Sequence, residues 1–121
     1  MALSHLGPHK VTQCTSLRYG EMAIALYAAP DLPFPERPRL SPQELAAHAA
    51  QGIARLGGVD RVRSLYVELH AANRALLADR IDEALYEAKV AALLTRAHTD
   101  KPDADRFNRC IAYDYGRERA A

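Results

Sequence analysis

An all-α fold, a small four- to five-helix bundle with an extended proline-rich strap, is predicted by three features of the 121-residue chain. Apolar residues recur at three- and four-residue spacing through most of the sequence beyond Ser41, helix start and stop signals punctuate that region, and prolines gather at positions 30, 33, 35, 38 and 42. With 49% hydrophobic and 26% charged residues, the composition is that of one compact domain. Residues 1–40 are read as an N-terminal arm, a short helix and the strap, and residues 41–121 as the helical core. By the usual surface scaling a chain of this size hides about two-thirds of its extended surface, enough for a core without disulfides or a structural metal.

The first element is a short helix over residues 21–28, an apolar run preceded by Gly20. It stops because Pro30 disfavours helical angles at Ala29 and has no N–H to continue the ladder. The five prolines then stiffen the strap. A second helix opens at Ser41, with Pro42 at its first position and Glu44 completing a capping box. It runs on Leu45, Ala49, Ile53 and Leu56 to a stop at Gly57-Gly58. Gly52 inside it costs about 1 kcal/mol relative to Ala unless another backbone packs there.

Asp60 is read as the cap of the third helix, whose inner stripe is Val62, Leu65, Tyr66, Leu69, Ala72 and Leu76 and whose outer face holds Arg61, Arg63, Glu68 and Arg74. A break near Asp79, with Asp79 capping a fourth helix, is preferred to one continuous helix over residues 60–97. The fourth helix has a stripe at Ile81, Leu85, Ala88 and Ala92, while Tyr86, Val90, Leu93, Leu94 and Ala97 spread its apolar surface beyond one face. Residues 103–113 form a last short helix with Phe107, Cys110 and Ile111 inward and Gly116 as its end; Asp105 and Arg109 are spaced for an i,i+4 pair.

Sixteen Lys+Arg against fifteen Asp+Glu leave a formal charge of +1, so a whole-molecule grip on nucleic acid or an anionic membrane is not indicated. Thirteen of the sixteen are Arg, and Ala occurs twenty-three times, a composition expected of a GC-rich bacterial or phage coding sequence. Cys14 and Cys110 form no C-x-x-C pair, no signal peptide opens the chain and no run of eighteen apolar residues occurs, so a cytoplasmic protein off the membrane is expected.

Chemistry is sparse. His5, His9 and Cys14 could ligate a metal only in a helix that Pro8 opposes, so neither metal nor cofactor is expected. No phosphate loop, nucleophile elbow or zinc-protease pair is present, which leaves an autonomous enzyme the least supported class. Arg63 and His70, six residues lying between them, resemble the Arg-x(4–6)-His signature of the HEPN ribonucleases. That resemblance covers two residues; Ser64 stands where the family more often has an amide, acid or imidazole. It implies RNA hydrolysis by the guanidinium and imidazole at a dimer interface. Residues 78–94, A-D-R-I-D-E-A-L-Y-E-A-K-V-A-A-L-L, resemble the second helix of a tetratricopeptide repeat, which implies close helix contact at Ala88 and Ala91. The preceding helix departs from that family at Ala71, Ala72 and Ala75, and no second copy follows.

Two surfaces are candidates for binding. Tyr86, Val90, Leu93 and Leu94 offer apolar cover for a protein partner or a second copy of the chain, and the small residues Ala84, Ala88 and Ala92 favour tight helix contact. Arg55, Arg61, Arg63, Arg74, Arg106 and Arg109 could contact phosphates. In the strap, Pro35-Glu36-Arg37-Pro38 is a PxxP string, read as lying across its own bundle. The sequence thus favours a non-enzymatic macromolecule-binding adaptor, inhibitor or accessory subunit; a nucleic-acid-binding subunit using the Arg groups, or a HEPN-like ribonuclease, are the alternatives.

Overall fold

The computed structural model describes residues 17, 18, 20–29, 40–97 and 102–120, with the side chains of 113 and 115–120 left aside. The strap over residues 30–39, its PxxP string and the His5, His9 and Cys14 group lie outside the described residues. Five helices and no strand occur among those described: α1 Glu21–Ala28, α2 Pro42–Leu56, α3 Val59–Leu77, α4 Glu83–Ala97 and α5 Ala104–Ala120.

Helix α1 is the centre of the bundle. Beyond Glu21 in its first turn its sequence, EMAIALYA, is apolar on all sides, and every residue of it is buried. A helix without a polar face has to be enclosed on all sides. Accordingly α1 touches each of the other four helices, most extensively α2 and then α5, while α3 pairs with α4.

The approach of α2 to α1 depends on small residues. Ala49 is fully buried, and a Cβ built at Gly52 would stand 1.7 Å from the carbonyl oxygen of Ala25 and 3.2 Å from the amide nitrogen of Ala29. Gly52 is therefore the point where the two backbones meet, the condition under which its helix penalty is offset. The start of α2 follows the sequence reading: Ser41 Oγ accepts from the Glu44 amide at 3.1 Å and Glu44 Oε1 accepts from the Ser41 amide at 2.9 Å. Left-handed Gly57 ends it.

Helix α3 begins at Val59, one residue ahead of the expected cap. Gly58 occupies the capping position with no side-chain bond, and Asp60 sits inside the first turn, where its charge still favours the helix N-terminus. The inner stripe is as read: Val62, Leu65, Leu69 and Ala72 are buried, and Tyr66 and Leu76 half-buried.

Two helices, not one, span residues 60–97. Asp79, expected to cap the fourth helix, instead closes the third. Its φ of +58° is left-handed, the Asp79 amide donates to Leu76 O at 3.0 Å, and the Arg80 amide reaches back to Ala75 O at 2.9 Å. This is a Schellman closure with an aspartate where glycine is usual. The cap of α4 is Asp82, whose Oδ1 accepts from the Leu85 amide at 2.8 Å.

Helix α5 runs antiparallel to α1 and holds both of its ends. Asp114, 2% exposed, accepts from the amides of Gly20 and Ala23 at the start of α1, the second at 3.1 Å. Arg106 donates to Tyr27 O at 3.4 Å and Ala29 O at 2.6 Å at its end. The eight steps from Arg106 to Asp114 rise about 12 Å, the length of an eight-residue helix, so anion and cation each meet the pole of the α1 dipole that attracts them. Phe107 meets the Tyr27 ring edge-on at a centroid distance of 5.7 Å, and the Asp103 amide donates to the Tyr27 hydroxyl at 3.0 Å. Gly116 does not end α5; the helix continues to Ala120. A glycine inside a helix costs about 1 kcal/mol and does not stop it when no proline follows.

Candidate functional site

The α3–α4 hairpin carries most of the candidate residues, and its two helices are braced by polar pairs. Near the turn the Tyr86 hydroxyl donates to Asn73 Oδ1 at 2.6 Å. Partial burial pushes the Tyr86 phenol above its ordinary value of 10.0. Farther along, Arg96 makes a bidentate pair with Glu68, the longer contact 3.1 Å. Its hydrogen bonds hold the Glu68 carboxyl below its ordinary value of 4.5.

Which face of α4 looks inward differs from the sequence reading. Leu93, Leu94 and Ala97 are buried at 2%, 1% and 0%, and Val90 packs half-buried against the core. The expected inner stripe at Leu85, Ala88 and Ala92 points to solvent, as does Ala84. Tyr86, Val90, Leu93 and Leu94 are thus held by the chain itself and do not make an open docking face. The reason is that α4 is apolar on two sides, and the side with the larger residues buries more area, so it is the one that turns toward α1, α3 and α5. Nor do Ala88 and Ala91 mark the closest helix contact, as the repeat-like segment implies: Ala88 is exposed and Ala91 half-buried, while the tightest approach lies between α1 and α2.

Both helices of the hairpin leave part of their surface open. Among the described residues, the large hydrophobics left exposed are Val67 at 65%, Leu77 at 85% and Leu85 at 46%, and all three belong to this hairpin. Leu77 and Leu85 stand on either side of the turn. Val67 shares the outer side of α3 with Arg63, His70 and Arg74, all exposed and opposite the buried Val62–Leu65–Leu69–Ala72 stripe. On α4 the exposed Leu85 shares its side with Ala88, Lys89 and Ala92, whereas the acids Glu83 and Glu87, each two positions from Leu85, stand on the other side of the helix. Val67 and Leu77 had no place in the sequence reading. The signal for them is the apolar residue that falls off the stripe, Val67 between Arg63 and Arg74 and Leu77 one position past Leu76.

The six candidate arginines stand in different surroundings. Arg55 donates to Ala97 O at 3.0 Å and so caps the end of α4. Arg106 is bonded to the α1 carbonyls and lies 5.8 Å from the centroid of the Tyr27 ring. Both thus serve helix ends, where the last carbonyls attract a guanidinium in the same way an anion does. Arg61, Arg63, Arg74 and Arg109 remain at the surface, Arg63 with its Nε 3.8 Å from Glu21 Oε1. His70 stacks on Tyr66 with centroids 5.7 Å apart. Arg63 and His70 lie two helical turns apart on one face, about 10 Å along the axis.

No group of three or more His, Cys, Asp or Glu able to hold a metal ion occurs among the described residues. None of the described helices is long and apolar enough to cross a membrane. Compared with known protein families, with curated proteins and with solved structures, the chain matches none.

Proposed function

We propose that this is a non-enzymatic binding protein, an adaptor, inhibitor or accessory subunit, that acts on another protein chain through the outer face of the α3–α4 hairpin. One observation carries the reading: Val67, Leu77 and Leu85, the large hydrophobics that the described chain leaves in water, all stand on this hairpin. Scattered single hydrophobics are ordinary on a protein surface, but their restriction to one supersecondary unit favours that hairpin as the part of the surface that gains from being covered. The Arg groups do not support a nucleic-acid role equally well, because Arg55 and Arg106 are spent on helix ends.

The test compares the wild-type protein with the double variant Leu77→Lys/Leu85→Asp as bait in the host extract, with and without nuclease. Both changes suit the helix dipole, a cation in the last turn of α3 and an anion in the first turn of α4, so the fold is retained. The expected result is a protein captured in near-stoichiometric amount by the wild type, unaffected by nuclease and lost with the variant. Capture abolished by nuclease, or equal capture by both baits, overturns the reading.

A further inference from the structure

We draw no further inference here: the strongest candidate, the exposed stripe of Arg63, Val67, His70 and Arg74 along the outer side of α3, carries nothing, because Arg63 already meets Glu21 and nothing in the structure shows what covers the rest.

Discussion

Gly52 has no room for a methyl group. With a backbone oxygen 1.7 Å from where its Cβ would stand, Gly52→Ala must push α1 and α2 apart, and the gain in helix propensity of about 1 kcal/mol cannot offset that. We expect the substitution to cost about 3 kcal/mol or more in urea denaturation. A variant as stable as the wild type would show that the two backbones do not meet there. Asp79 is the opposite case. Held left-handed at φ +58°, it bears a strain that glycine does not, and Asp79→Gly should raise stability by about 0.5 kcal/mol once glycine's greater unfolded-state entropy is set against it. A measurable loss would mean that the Asp79 side chain has a partner that matters more than its backbone. At this scale the sequence was informative wherever a residue acts on its own neighbours: the Ser41–Glu44 capping box is local chemistry and could be read directly. Arg55, Arg106 and Asp114 could not, because the groups they satisfy lie 42, 77 and 91 residues away.

Among the elements, α5 is the one whose attachment is most specific. It clamps α1 at two points about 12 Å apart, far enough for the two contacts to act independently. Arg106→Ala and Asp114→Ala are each expected to cost about 1–3 kcal/mol, since each leaves buried backbone groups of α1 without a partner, and the double variant should equal the sum within about 0.5 kcal/mol. A double variant no worse than the more damaging single one would show instead that α5 detaches as a unit. The brace between α3 and α4 is weaker. Arg96 and Glu68 are about half exposed, so their pair contributes less than about 1 kcal/mol and is screened by salt. Because the Glu68 carboxyl is lowered in the fold, its share is complete above pH 4.5 and fades as pH falls further. Glu68→Gln should remove that acid dependence with little effect at pH 7. Element boundaries were legible for α1 and α2, where proline, serine and the paired glycines set hard limits. The break at Asp79 was legible, but not its mechanism, since an aspartate suits both a cap and a left-handed turn. On α4 periodicity revealed two apolar sides and could not say which would be covered, a matter decided by helices elsewhere in the chain.

For the molecule as a whole, one shared core implies one cooperative transition, because α1 touches every other helix. Far-ultraviolet and tyrosine signals should report the same midpoint in urea; separated midpoints would divide the bundle into independent parts. The alkaline side of the stability profile follows from three groups. Burial pushes the Cys110 thiol from 9.0 up to about 12, and burial likewise raises Tyr27 and Tyr86 above 10.0. Groups raised in this way lend stability that is fully present below their ordinary values and is lost as pH climbs toward the folded ones. Stability should therefore begin to decline above pH 9. In Cys110→Ala the part of that decline between pH 9 and 12 should flatten, and an unchanged slope would exclude the thiol as its source.

The central position of α1 also governs how the protein can be made. Residues 21–28 leave the ribosome early, yet the side chains that close both of their ends, at 106 and 114, are the better part of a hundred codons behind. At ordinary elongation rates that interval is on the order of ten seconds, during which an eight-residue greasy segment has no shelter of its own. Nascent chains halted before Asp114 should consequently be protease-sensitive within that segment and bind chaperones there, whereas emergence of residues 106 to 114 should hide it at once.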